Sequence, residues 1–464
     1  MGVLSKLSPS SMTITGDCVD YIHPWIKSCP KASIGMCVCA FKDSLRIYST
    51  VYFISLLMRK RIPTASDLKH TLYGLLRSTW FLTTAAYGFP VFGCALRKLI
   101  GNFNFLTVAF VPAFLASILA ISFERPSRRP LLALYVANVG SESLWKILEA
   151  RNLVRSSNNR LIALFGVCAS LLTFYYKKGY HLKFRKEPLF DVLKFIIGDI
   201  GIERQLGTVQ PQPSHTESGN RKKLPGPKFI VQYGVIAYLV KYYVQLMEKL
   251  KKLPVRNKCC PHNHSCVYYC IDGSIKLFGT GVGIQLALKL VFQMKRVLKN
   301  PKSLFTRDTM KIGMFLGGFS AIFRTVSCLL RSITGKDCPY QIFPAVLLAS
   351  TTLKYNLDTS IVLYLMWKCL QLSFQLGQSK GYWKGIPRFY ELLYCFFTAI
   401  LFHSALMEPN TIRTSYWRFL MNLSGGRVAA MDRKPLDGFG LETSKQLMGV
   451  LERTHGKIQR DYVW

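Results

Sequence analysis

Asp43-Ser44-Leu45-Arg46-Ile47-Tyr48-Ser49-Thr50 returns as Gly273-Ser274-Ile275-Lys276-Leu277-Phe278-Gly279-Thr280, and that return decides how the chain is read. The offset is 230, and it holds without a gap through Ile54/Ile284, Leu56/Leu286 and Arg59/Lys289. Cys94-Ala95-Leu96-Arg97 with Gly101 returns as Cys328-Leu329-Leu330-Arg331 with Gly335. Pro112-Ala113 before Leu115-Ala116-Ser117 returns as Pro344-Ala345 before Leu348-Ala349-Ser350, and Leu134-Tyr135 as Leu363-Tyr364. Four matches in one order at nearly constant spacing point to a duplicated unit. Both copies are strongly apolar, and internal repeats are a common way to build membrane folds.

Half of the 464 residues are hydrophobic and 13% are aromatic. Several apolar stretches approach the ~20 residues that cross a bilayer. The expected fold is all-α: a multi-pass helical membrane protein of two related halves with about five membrane helices each. In the first half the spacing predicts spans over 46–58, 72–95, 103–122, 131–149 and 161–176. In the second it predicts 274–294, 311–331, 340–355, 359–378 and 389–407. If five elements of each half cross, the odd number makes the halves inverted repeats; if four cross, they run parallel.

The expected organisation is a Cys-rich N-terminal segment over 1–42 and a first membrane repeat over 43–176. A basic linker, 177–255, follows, disordered around Gln210-Pro211-Gln212-Pro213 and with an interfacial amphipathic helix over 229–250. A second membrane repeat with a Cys-rich entry covers 256–407, and a polar C-terminal tail covers 408–464. No cleavable signal is expected, because the first 40 residues lack a continuous apolar core.

The formal net charge is +37. The basic clusters stand between apolar stretches: Arg59-Lys60-Arg61, Arg125 with Arg128-Arg129, Lys177-Lys178 and Arg221-Lys222-Lys223. That distribution fits anchoring to anionic lipid headgroups and argues against a nucleic-acid groove. The fourteen cysteines are not spaced like a secreted disulfide framework, so a reducing compartment is the simpler setting.

Gly279-x-x-x-Gly283 and Gly313-x-x-x-Gly317 lie on apolar segments, where such spacing lets two helix backbones approach closely. Asn138, Glu142 and Arg324, with Arg77, Glu391 and His403, are polar residues inside apolar stretches. Each could face a partner or a water path, or snorkel from a helix end. Cys259, Cys260, His262, His264, Cys266 and Cys270 are donors of the zinc type, without a clean paired Cys-x-x-Cys. Zinc, palmitoylation and unmodified structural cysteines are the three readings. Cys37 and Cys39 stand before the first repeat as Cys266 and Cys270 stand before the second. No nucleophile elbow, dinucleotide fingerprint, Walker loop or His-Glu-x-x-His is present, so neither enzyme chemistry nor a cofactor is expected.

The wording of the chain resembles the transmembrane protein 135 family, also called peroxisomal membrane protein 52. The resemblance rests on Asp43–Tyr48, on Glu124-Arg125-Pro126-Ser127-Arg128-Arg129, on Cys259-Cys260 with Cys266 and Cys270, on Ser327–Arg331, and on Ser415-Tyr416-Trp417-Arg418 with Met431-Asp432-Arg433-Lys434. It implies a C-terminal half similar to the Tim seventeen, twenty-two and twenty-three translocase superfamily, around the glycine-bearing helices. It also implies a place in peroxisomal and/or mitochondrial membranes, and a role in lipid homeostasis, cholesterol transport, mitochondrial fission and peroxisome behaviour. Partners would be membrane lipids and proteins of organelle dynamics, with no nucleic acid. The alternative is a transporter or channel for a lipid or small metabolite between the halves.

Overall fold

The computed structural model describes residues 13–58, 64–155, 157–180, 187–197, 234–257, 259–262, 264–300, 304, 306–456, 458 and 462. The disordered stretch expected near 210–227 lies outside them. Among the described residues the fold is helical, with one antiparallel bridge pairing Ile14 and Phe103. In chain order the helices are α1 (Cys18–Tyr21), α2 (Cys29–Met58), α3 (Ala65–Ile100), α4 (Phe110–Phe123), α5 (Arg129–Ala150), α6 (Asn158–Lys177) and α7 (Pro188–Ile197). Then come α8 (Gly234–Lys252), α9 (Cys266–Phe292), α10 (Met294–Lys299), α11 (Arg307–Thr334), α12 (Ile342–Ser350) and α13 (Thr359–Ser379). The chain closes with α14 (Phe389–Met407), α15 (Thr414–Leu423), α16 (Arg427–Ala430), α17 (Lys434–Asp437) and α18 (Thr443–Thr454).

Local chemistry sets the long helices. Thr64 and Asp67 form a reciprocal capping box at the start of α3, which satisfies amide groups left without partners in the first turn. Gly101 ends α3 at φ +83° and Gly335 ends α11 at φ +64°. Both are left-handed caps, and each donates its N–H to the carbonyl of an arginine, Arg97 or Arg331. Those two arginines and their glycines belong to the repeated Cys-x-x-Arg segment, so the repeat includes the helix-stop signal.

Three described helices are long and apolar enough to cross a membrane: α6, α11 and α14. α4 is apolar but only 14 residues long. The ten expected spans therefore reduce to three by length and composition. The others fall short for visible reasons: α12 has nine residues, and α2 carries Lys31, Lys42, Asp43 and Arg46. Large apolar side chains such as Ile34, Phe53, Leu57 and Leu72 still face outward. Apolar surface left exposed on this scale marks a membrane protein.

The chain forms two compact units: Met1–Ser156 with Gly381–Trp464, and Ser157–Lys380. In the first, α2 packs on α3, α3 on α4, and α14 on α4 and α5. In the second, α9 packs on α11, α11 on α12, and α6 on α12 and α13. Of the packed helices just named, each unit takes four from one half of the sequence and one from the other. The expected division at 176 and 256 passes over this exchange: α6 follows α5 in sequence but belongs to the second unit.

The first core gathers Tyr21, Ile22, Met36, Phe89, Phe103 and Leu406. The second gathers Phe165, Leu172, Phe315, Phe319, Val346 and Leu372. The segment read as a polar tail is folded. Trp417, Leu420, Met431, Leu436 and Leu451 are buried in the first unit, and of Tyr416-Trp417-Arg418 only Arg418 is exposed. The amphipathic pattern of α15 and α18 explains why: each gathers its apolar side chains on one face.

Candidate functional site

Each unit holds one cluster of three cysteines and a histidine. In the first unit Cys18 opens α1, His23 lies in the turn after it, Cys29 opens α2, and Cys94 sits near the end of α3. In the second Cys260 and His262 precede α9, Cys266 opens α9, and Cys328 sits near the end of α11. Within each cluster the four donor atoms all lie within 4.8 Å of one another.

The two arrangements match in detail. Cys18 Sγ is 3.4 Å from Cys29 Sγ, and Cys94 Sγ is 3.4 Å from His23 Nε2. Cys266 Sγ is 3.9 Å from Cys260 Sγ, and Cys328 Sγ is 3.6 Å from His262 Nε2. His23 Nδ1 stands 2.8 Å from the Ile26 carbonyl, and His262 Nδ1 stands 2.7 Å from the His264 carbonyl. A carbonyl only accepts, so Nδ1 carries the proton in both rings. Nε2 is then a free lone pair aimed at the sulfurs.

The surroundings hold these groups in place. Arg97 donates to the carbonyls of Gly16 at 2.9 Å and Thr15 at 2.7 Å, which ties the entry segment to the end of α3. Arg331 donates to Asp337 at 2.9 Å, and Lys177 reaches the same carboxylate at 2.6 Å. Burial opposes the Asp337 charge, but the bonds from Lys177 and Arg331 outweigh it and hold its carboxyl below the ordinary range. Burial, with Arg331, Arg256 and Arg324 nearby, holds His262 below its ordinary value, although its bond to His264 acts the other way. A neutral imidazole is the form that ligates metals.

Of the six donors singled out from sequence, Cys260, His262 and Cys266 enter the second cluster, and Cys259, His264 and Cys270 do not. Cys259 donates instead to the Gly335 carbonyl at 2.8 Å. Sequence reasoning missed Cys328 and all of the first cluster. The available signal was the repeat itself, which pairs Cys94 with Cys328.

The glycines divide likewise. A side chain on Gly313 would meet the Phe278 carbonyl oxygen at 2.9 Å, and one on Gly317 would meet Phe278 Cβ at 2.9 Å. Both lie at the α9–α11 contact. Gly279 and Gly283, expected there too, have open space where a side chain would stand. The contact on α9 runs through Gly281, whose added Cβ would lie 2.7 Å from Gly313 Cα. At ~100° per residue, a shift of two positions turns to the opposite face of the helix.

The polar residues that the sequence places inside apolar stretches are mostly engaged. Glu142 pairs with Lys146 at 2.9 Å and with Arg413. Arg324 is 8% exposed; it donates to the Tyr269 carbonyl at 3.1 Å and lies 4.4 Å above the Tyr269 ring. A cleft of about 400 Å³ borders Arg324, Tyr269, Asp272, Lys276 and His262. Asn138 Oδ1 is buried without a hydrogen-bond partner. The Glu124–Arg129 motif forms a polar hub. Arg128 donates to Ser78 at 2.6 Å and Tyr52 at 3.0 Å, Arg129 pairs with Glu391 at 3.0 Å, and Arg125 reaches the His70 carbonyl at 3.1 Å.

No solved structure matches the chain. Residues 16–149 match the family model described as the N-terminal cysteine-rich region of Transmembrane protein 135, a span that contains α1–α4, nearly all of α5 and every residue of the first cluster. With the motifs around Asp43 and Glu124 inside that span, this part of the chain is similar to the N-terminal region of the transmembrane protein 135 family.

Proposed function

We propose that this membrane protein works in peroxisomal and/or mitochondrial membranes, in lipid homeostasis and organelle dynamics, through interaction surfaces rather than enzyme chemistry. The observation that carries the reading is the state of Glu142. A solute route needs wet, unpaired polar groups near mid-membrane, whereas Glu142 is held by Lys146 and Arg413. The hub of Arg125, Arg128 and Arg129 is also spent on internal contacts. Exposed basic residues such as Arg418 are left for partners and suit anionic headgroups or acidic partner segments.

The reading includes two related halves that exchange their fifth helices. It is supported by the common order of the long helices: α2, α3, α4, α5 and α6 against α9, α11, α12, α13 and α14. Likeness of the second half to the translocase superfamily remains part of the proposal.

A transporter is the second reading, and the cleft beside Arg324 favours it. Cysteines placed at 142 and 324, in a background cleared of nearby native thiols, distinguish the two under a membrane-impermeant thiol reagent. Protection at 142, with organelle phenotype lost only on changing the basic loops, supports the surface role. Labelling at both, blocked by a candidate lipid or metabolite, supports transport. Imaging of the untagged protein tests the organelle.

A further inference from the structure

We propose that the chain carries two structural zinc ions, one in each compact unit: one bound by Cys18, His23, Cys29 and Cys94, the other by Cys260, His262, Cys266 and Cys328.

The closest separations match the edges of a tetrahedron around a cation, and every other donor pair lies within 4.8 Å. With Zn–S about 2.3 Å and Zn–N about 2.0–2.1 Å, tetrahedral S···S edges are ~3.8 Å and S···N edges ~3.5 Å. The observed S···S separations are 3.4 and 3.9 Å, and the S···N separations are 3.4 and 3.6 Å. A disulfide needs about 2.05 Å, so neither sulfur pair is bonded. Zinc is the metal that three thiolates and one imidazole select. Four protein donors leave no open coordination position, which marks a structural rather than a catalytic site.

The histidines give an independent sign. A metal-bound imidazole almost always donates its other ring N–H to a fixed acceptor, which orients the ring. Both histidines do so here through Nδ1, each to a backbone carbonyl a few residues on.

The third argument is that the site occurs twice by different routes. The first cluster is spaced Cys-x4-His-x5-Cys and the second Cys-x-His-x3-Cys. Only Cys94 and Cys328 coincide in the repeated segment. Two unlike entry segments reach one donor set and one histidine tautomer, which chance packing of thiols does not explain. Each ion would fasten an entry segment, which has little helix of its own, to the end of the second long helix of its unit.

The test is elemental analysis of the full-length protein, purified in detergent under reducing conditions. Two zinc ions per chain are expected. C94S and C328S should each retain one and the double variant none, while C395S, a buried cysteine outside both clusters, retains two. Because a ligand variant can fail to fold, cobalt exchange into the wild-type protein gives a second reading. Thiolate-to-cobalt charge-transfer bands with tetrahedral d–d absorption are expected at two equivalents. Fewer than two bound ions in the wild type, stoichiometry unchanged in the ligand variants, or a Cys18–Cys29 disulfide found by mass spectrometry in the reduced preparation overturns the proposal.

Discussion

The two units bring their first pair of long helices together by different means. In the second, α9 and α11 meet through Gly281, Gly313 and Gly317, where backbone lies against backbone. In the first, α2 and α3 carry Ser44, Ser78, Thr79 and Thr83 at fully buried positions. By the spacing that matches Cys94 with Cys328, Thr79 and Thr83 stand where the second unit has Gly313 and Gly317. Small hydroxyl residues permit a slightly wider approach and can satisfy themselves on their own helix, as Thr83 does on the Thr79 carbonyl at 2.8 Å. The contrast teaches that the two units share a helix pair with a Cys/His cluster at one end and not a residue type at the seam.

The largest effect expected on either unit is metal removal. A strong chelator under reducing conditions should lower the midpoint of thermal unfolding in detergent by on the order of 10 °C, because binding energy at a closed site is folding energy. Loss should be steeper in mildly acidic buffer, where protons compete for thiolate and imidazole. A midpoint unmoved by chelation would separate the clusters from stability.

Next comes the folded C-terminal segment, which has no counterpart among the described residues of the second unit. Trp417→Ala should cost about 3–5 kcal/mol, since the ring is 1% exposed, whereas Arg418→Ala should stay within about 0.5 kcal/mol. Limited proteolysis and thermal unfolding read both. Equal behaviour of the two variants would return 408–464 to a tail.

The seam is tested by contrast within one helix pair. Gly317→Leu should destabilise by about 1–3 kcal/mol through overpacking against Phe278 and the Ser274 carbonyl, and Gly283→Leu should be near neutral. Detergent-solubilised yield and thermal unfolding decide it. If Gly283→Leu is the damaging change, the contact runs along the other face.

The smallest effect is the Asp337 latch, where the first unit has Arg97 on two backbone carbonyls and, at 3.5 Å, on the exposed Asp17. Asp337 titrates lower folded than unfolded, so its stabilisation is full above the ordinary carboxylate range. It is lost as pH falls through the depressed folded value. Asp337→Asn should cost about 1–2 kcal/mol at neutral pH and flatten that acid limb of the stability profile. Arg97→Lys should leave the acid limb unchanged.

Much of this was legible because it is local. Hydropathy marks helices, a glycine in a left-handed conformation ends them, and a repeated Cys-x-x-Arg marks equivalent helix ends. The stretch Cys259–Cys270 shows zinc-type donors in the sequence, three of which enter the second cluster. The amphipathic reading of 229–250 anticipated α8, because an apolar stripe among lysines is visible at helical spacing.

What escaped the sequence is what depends on distant parts meeting. Whether Gly279 or Gly281 faces α11 depends on how the helices are rotated about their axes, and periodicity alone leaves that free. The polar average of 408–464 hid a buried face, since composition does not say which side of a helix finds a core. Cys94 and Cys328 became the fourth donors only because α3 and α11 return to their entry segments. The exchange of α6 and α14 is likewise invisible along the chain: both helices are apolar enough to pack in either unit. By itself the sequence determined the helices, their stops and the repeated segments, because these follow from residues within a few turns of one another. Only the tertiary structure decided the fourth ligands, the seam and the exchanged helices, because those follow from packing between segments tens to hundreds of residues apart.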